Sequence, residues 1–157
     1  MAKIKFWTLT LLAAILVLIG LLTPAWVHIS SGGLAGIWSW GLYFETNYTE
    51  SILIMYNSVK YLIPGLIVTL LQLVALVMLI ILAILMWKEN ANVTKTRIIS
   101  LISAILLIFG SIAFIMGAAL LVDGWLDTNS VGPGLILPLI SAVLSIITAF
   151  LAKKKLS

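Results

Sequence analysis

The side chains able to carry chemistry in this 157-residue chain are few: one histidine, five acids, nine basic residues and no cysteine. Metal binding and proton transfer need two or more suitable groups converging on one point. His28 has no companion at ligand or catalytic spacing, which assigns it to a surface or a lipid interface. Asp123 and Asp127 are four apart and would meet on one turn of a helix. Gly124 and Thr128-Asn129-Ser130 favour a loop instead, and make solvation or partner contact the leading role of the pair, ahead of ion binding and paired-carboxylate catalysis. Glu45 and Glu50 read as ordinary surface charges. The missing cysteine excludes disulfides, cysteine-attached haem and thiolate metal sites. Neither a nucleotide-binding loop nor a paired-histidine haem arrangement is present. The sequence therefore predicts no enzyme, with no catalytic residue, no metal and no cofactor.

What must position these residues is membrane-embedded. Four apolar segments, 6–25, 61–87, 98–121 and 134–152, are each long enough to cross the hydrocarbon core as a helix, for which about 20 residues suffice. With 63% hydrophobic and 9% charged residues, the chain cannot clothe a small water-soluble domain in an ordinary polar surface. The formal charge of +4 suggests nucleic-acid binding until the charges are placed. Lys3, Lys5, Lys88, Lys95, Arg97, Lys153, Lys154 and Lys155 all fall on one side of the four spans, with Glu89 the single acid there. The other four acids are on the opposite side. Lysine and arginine bias places both termini and the short middle loop in the cytoplasm of a multi-pass cell-membrane protein, and loops 26–60 and 122–133 outside. The first span begins near a basic amino terminus and superficially resembles a signal peptide. Its apolar run continues to Leu22, and removing it would split the basic regions between the two sides, so it reads as a retained helix. The expected fold is an all-α, four-transmembrane-helix bundle in one domain.

Polar and small residues within the spans mark packing faces. Ser103, Gly110 and Gly117 recur every seven positions, so they share a face on which a neighbouring helix can approach closely. Ser100, Ser111, Ser141, Ser145 and Thr148 offer local or interhelical hydrogen bonds. Simple bundle packing is the leading reading of these residues, over a groove for a lipid, quinone or other small molecule. Gln72 lies deep in span two and must find a partner there, in a structural bond ahead of a transport role. Trp7, Trp26, Tyr61, Trp87 and Trp125 fit interfacial positions. Pro64 falls in the first turn of span two, Pro138 either kinks or starts span four, and Gly132-Pro133-Gly134 makes a turn before it.

The outer segment 26–60 carries more large apolar residues than a passive loop requires and should fold. AWVHIS and WSWGLYF read as extended stretches separated by Gly32, Gly33 and Gly36, with SILIMYNSV a third strand or a helix, giving a small antiparallel extracellular β-sheet. Three settings are open to Trp38, Trp40 and Tyr43: burying a face of that sheet, resting on lipid, or facing a partner. Asn47-Tyr48-Thr49 matches the N-glycosylation acceptor on the outer side, while Asn92-Val93-Thr94 matches it on the cytoplasmic side, where modification is not expected.

With Trp26 soon after the first helix and Gly41-Leu42-Tyr43 close to a Gly-Leu-Trp motif, the chain resembles the claudin and peripheral myelin protein-like family of four-helix membrane proteins. That resemblance spans the whole chain in layout. It implies cytoplasmic termini, a small sheet in a larger first outer loop, and a shorter second loop. Thr46 stands where the motif would place its first cysteine and nothing matches the second, so the family's loop disulfide is absent and the sheet must hold by packing and hydrogen bonds. The resemblance implies a non-enzymatic protein acting by lateral association or outer-loop contacts, not a paracellular barrier.

Two functions follow as expectations. The first is a structural or interaction protein, self-associating or serving as an accessory subunit among membrane lipids and other membrane proteins, with Trp26, Trp38, Trp40, Tyr43, Ser103, Gly110 and Gly117 as candidate interaction residues and no nucleic-acid partner. The alternative is a channel or transporter component formed by oligomerisation, favoured by the acidic outer loops but lacking ionisable residues along a route through the membrane. The topology predicts that Ser31→Cys reacts with an impermeant thiol reagent from outside and Asn92→Cys only from inside; the reverse labelling would overturn the assignment.

Overall fold

Long runs of Leu, Ile, Val and Ala, interrupted mainly by small or hydroxyl residues, form helices because every backbone polar group is then bonded within its own segment. The computed structural model describes residues 7–30, 33–47, 51–55, 59–121 and 129–155. Its helices are α1 (Trp7–Leu22), α2 (Val59–Trp87), α3 (Val93–Leu121) and α4 (Pro133–Lys155). Within α2, α3 and α4, stretches of 26, 27 and 20 residues are long and apolar enough to cross a membrane. The described part of α1 is a shorter apolar helix of 16 residues. The helices pack in the cyclic order α1, α2, α3, α4, each against two neighbours.

Charge and caps set the link between α2 and α3. Asn90 N donates to Leu85 O at 2.8 Å and Glu89 N to Met86 O at 3.3 Å, the paired bonds of a Schellman ending. Glu89 holds the left-handed position of that motif at φ 59°, where glycine is the usual residue. Asn92 then caps α3: its Oδ1 accepts from Lys95 N at 2.8 Å. This gives the asparagine of the second glycosylation motif a structural task.

The strands are β1 (Trp26–Ser30), β2 (Gly33–Ile37), β3 (Leu42–Asn47), β4 (Ser51–Met55) and β5 (Ser130–Val131). They form one antiparallel sheet in the order β4-β3-β2-β1-β5. The small antiparallel sheet that the sequence predicts between the first two helices is present, with four strands there in place of two extended stretches and a third strand or helix, and SILIM is a strand. Two details differ from the sequence reading. The glycine-spaced Gly33–Ile37 is a strand and not a separator, because its small residues sit at the centre of the sheet with Ala35, Gly36 and Ile37 all buried. WSWGLYF is not one extended stretch: Trp38 to Gly41 is the turn between β2 and β3, closed by Gly41 N to Trp38 O at 3.0 Å and Trp38 N to Leu42 O at 2.8 Å. Gly41 takes φ 101°, the glycine position of the three-residue loop Ser39-Trp40-Gly41 that the bond between Trp38 and Leu42 closes.

Register assigns the faces. Trp26, Ile37 and Tyr43 stand in one row, with His28, Ala35 and Glu45 in the next on the same face. Trp26 and Ile37 are buried with Val68 of α2, Phe114 and Ala118 of α3 and Leu135 of α4, with Tyr43 packed alongside. A second core, below it, joins Ala13, Ala14 and Val17 of α1 to Ala75, Leu79, Ala104, Leu107 and Ala142. Its small residues allow close helix approach where no hydrophobic driving force separates lipid from helix. Pro64 lies six residues into α2 and Pro138 six into α4, so neither is in a first turn, and Pro133 occupies the first helical position of α4.

Replacing Glu89 by glycine relieves the left-handed backbone. The Glu89→Gly variant should be more stable by about 0.5–1 kcal/mol in a reversible detergent unfolding titration; a loss of stability would show that the glutamate side chain makes a contact the turn depends on.

Candidate functional site

The most constructed region is where α1 ends against the sheet. A helix leaves its last four carbonyls without intrahelical donors, and in an apolar setting they cannot turn to water. Here the four belong to Ile19, Gly20, Leu21 and Leu22, and all are met. Thr23 donates its hydroxyl to Ile19 O at 3.0 Å and its amide to Gly20 O at 3.3 Å. Trp40 Nε1 donates to Leu21 O at 3.0 Å and Trp38 Nε1 to Leu22 O at 2.9 Å. The two indoles lie 6.3 Å apart, tilted by 52°. The turn between β2 and β3 is therefore the cap of α1.

The tip of that turn is fixed on its other side by α2. Ser39 is buried, and its hydroxyl bonds Thr69 Oγ1 at 2.8 Å, while Thr69 donates to Gly65 O at 2.8 Å. Gly65 has no room for a side chain: a Cβ there would run into the Ser39 carbonyl. The Trp-Ser-Trp-Gly turn is thus held between two helices through a glycine, a serine and two indole N–H groups.

A parallel arrangement docks α4. Gly132 N donates to Ala25 O at 2.8 Å and Gly134 N to Pro24 O at 2.9 Å, with β5 paired to Trp26 and Val27. A Cβ on Gly134 would lie 2.5 Å from Thr23 O, and one on Gly20 would lie 2.7 Å from the Pro138 ring. Pro138 lacks the N–H that would bond the Gly134 carbonyl four residues earlier. Gln72, 1% exposed, supplies a replacement: its Nε2 donates to Gly134 O at 3.4 Å. The partner that Gln72 needs is the carbonyl freed by a proline on another helix.

These contacts locate the candidate interaction residues. Trp26 is fully buried, its ring 6.3 Å from that of Phe114, so it is core and offers no surface to a partner. Trp38 and Trp40 are partly buried in the cap, and Tyr43 donates its hydroxyl to Glu45 Oε2 at 2.6 Å. Gly110 faces α2, where a Cβ would meet Leu71 and Val68 at 3.2 Å, and Gly117 faces Pro64. Ser103 is buried in the bundle. The small-residue face of α3 therefore joins helices within one chain. Of the hydroxyls, Ser141 bonds across to Ala13 O at 2.8 Å, while Ser145 and Thr148 bond back to Ser141 O and Leu144 O at 2.9 Å each. Thr96, Ser100, Ser103 and Ser111 on α3 are buried with no hydrogen-bond partner for their hydroxyls among the described residues. Asp123, Asp127 and Trp125 lie outside the described residues.

Sequence reasoning passed over Ser39 and Gly65, whose roles depend on a long-range approach that no local pattern announces. It also passed over Ile29 and Leu34, which are 78% and 45% exposed on the sheet. Their signal was present, since β1 alternates Trp-His-Ser with Val-Ile and so has no polar face opposite its buried one. At the far end of the bundle, Trp7 and Leu11 of α1 line an apolar groove of about 270 Å³ with Ile80, Ala83, Ile84 and Trp87 of α2. No protein-family model matches the chain, and no curated protein matches it.

Two substitutions test the cap. Trp40→Phe keeps an aromatic ring, smaller than the indole, but leaves Leu21 O without its donor, and should cost about 1–3 kcal/mol. Gly65→Ala forces the turn away from α2 and should cost about 1–3 kcal/mol, the range for overpacking. Both are read by thermal unfolding in one detergent; unchanged midpoints would show that the turn does not anchor the helices.

Proposed function

We propose that this chain is a non-enzymatic, multi-pass cell-membrane protein that acts by lateral association, with copies of itself or as an accessory subunit of a larger membrane complex. The observation that carries this reading is that the polar side chains and small residues of the described helices are turned into the bundle, where several of them serve neighbouring helices. Gln72 serves a carbonyl of α4, Ser141 a carbonyl of α1, and Gly110 admits α2. Among the described residues, no Asp, Glu, His, Lys or Arg is buried in the helices. A route for ions or a reaction centre in a membrane is ordinarily marked by such groups. What the bundle presents outward is apolar, including Leu12, Ile15, Leu18 and Ile19 of α1 and Ile105, Phe109, Ile112 and Met116 of α3. Surfaces of this kind meet lipid or pack against other membrane helices.

The basic residues orient both termini and the link 88–92 to the cytoplasm and the sheet to the outside. The sheet between the first two helices, Trp26 directly after α1 and Gly41-Leu42-Tyr43 at the start of β3 support grouping the chain with the claudin and peripheral myelin protein-like proteins. Thr46, at the place of that family's first loop cysteine, donates its hydroxyl to Leu34 O across the strands at 3.3 Å. Association is the activity this grouping supports; a paracellular barrier is not carried over.

The mass and composition of the natively extracted assembly test the proposal. A discrete homo-oligomer, or one protein recovered at fixed stoichiometry, is the expected result, and a partner-free monomer across mild detergents and nanodiscs would overturn it.

A further inference from the structure

The sheet has a second face, and it is apolar. Alternation along the strands puts Val27 and Ile29 opposite the buried Trp26. Register sets Val27, Gly36 and Phe44 in one row and Ile29, Leu34 and Thr46 in the next. Ile29 is among the most exposed large apolar residues in the described chain. Among the described side chains the polar ones in these two rows are Thr46 and, at the β5 edge beside Val27, Ser130. The Thr46 hydroxyl is engaged by the Leu34 backbone, accepting from N at 3.4 Å and donating to O at 3.3 Å, so it does not depend on water. An antiparallel sheet with one solvated face ordinarily carries polar residues there.

This face runs directly into the outward surface of α1. Gly36 leaves space that Pro24 and the Trp38 ring occupy, at 3.2 and 3.6 Å from where a Cβ would stand. Trp38 is bonded to the carbonyl of Leu22, whose side chain is 68% exposed at the end of the helix. Leu18, Ile19 and Leu22 of α1 thus lead through an indole and a proline to Val27, Phe44, Ile29 and Leu34.

Helix length says what this surface meets. Trp7 and Trp87 line one groove, so they stand at one level, and Trp87 ends α2 just before Lys88. From that level the 16 residues of α1 rise about 24 Å, against a hydrocarbon core of about 30 Å. α1 therefore ends about 6 Å short of that core, and the apolar surface that continues from Leu22 through Pro24 and the Trp38 ring onto the sheet begins at hydrocarbon depth, while the 26-residue apolar stretch of α2 beside it reaches about 39 Å.

We propose that the outward face of the sheet, formed by Val27, Ile29, Leu34 and Phe44, lies against the lipid bilayer and completes the apolar thickness that α1 falls short of. Trp38 then joins the lipid-facing surfaces of α1 and the sheet, its N–H spent on the Leu22 carbonyl. The sheet is a membrane-contacting element, and Ile29 and Leu34 are its lipid contacts. The inference stands whether or not the chain associates laterally.

Because the chain contains no cysteine, each single-cysteine variant carries one label without further change. Ile29→Cys and Leu34→Cys are labelled with a nitroxide in phosphatidylcholine nanodiscs, with Leu22→Cys as the lipid reference and Asn90→Cys as the water reference. Power saturation compares collision with oxygen, which concentrates in lipid, and with a water-soluble nickel chelate. Both sheet positions should match Leu22→Cys, with an oxygen-to-nickel ratio several-fold above that of Asn90→Cys. A ratio equal to that of Asn90→Cys places the face in water and overturns the proposal. Labels closed to both reagents place a protein on the face and overturn it equally. If one variant fails to fold, the other reports the same face from the adjacent strand.

Discussion

The backbone carbonyls of Ile19 to Leu22 impose the constraint from which the rest follows. A helix that stops inside or at the edge of hydrocarbon must find donors for its last turn, and each carbonyl left bare costs about 1–3 kcal/mol. Four together weigh heavily against a total stability of about 5–15 kcal/mol. Thr23 meets two, and the indoles of Trp38 and Trp40 meet the others. The indoles can do so only if the hairpin turn is brought down onto α1, which fixes where β2 and β3 lie. Gly65 and Ser39 then bind the same turn to α2.

The sheet is consequently part of the bundle's closure. Trp26, Ile37 and Tyr43 reach the end of the bundle because the turn holds their strands there, and they form a core with Val68, Phe114 and Leu135. The same rule operates on α4, where Pro138 frees a carbonyl and Gln72 supplies its donor from α2. Gln72 in this membrane bundle thus corrects a deficit made by the fold. The aromatic residues and small-residue seam that suggest partner surfaces in the sequence are thereby engaged within the chain. Association is left to the apolar exterior.

Much of this was legible beforehand, for physical reasons that can be named. Apolar run length gave the four helices, three of them long enough to cross hydrocarbon; α2 ends at Trp87, where the sequence places the second span's end, and α3 at Leu121 likewise, whereas α1 ends at Leu22, three residues before the first span's end, where Thr23 caps it and the chain turns into β1. The need of a buried amide for a partner pointed at Gln72. Gly33–Ile37 was missed because glycine ordinarily separates strands, whereas here a central strand needs small residues to admit Pro24 and the Trp38 ring above Gly36. The Trp-Ser-Trp turn was missed because tryptophan favours strands, and its use as a helix cap depends on a contact sixteen residues away with Leu22. Spacing identified Ser103, Gly110 and Gly117 as a seam, but the approach of Leu71 and Val68 to Gly110 comes only from the fold.

Hydrogen exchange at the indole N–H groups measures the central bonds themselves. In nanodiscs, with ¹⁵N-labelled tryptophan assigned by substitution, the Trp38 and Trp40 indole protons should exchange far more slowly than that of Trp87, which stands exposed at the opposite end of the bundle. Exchange of Trp38 and Trp40 at the rate of Trp87 would mean that the carbonyls of α1 are satisfied some other way, and the dependence of the sheet on the helix end would fall with it.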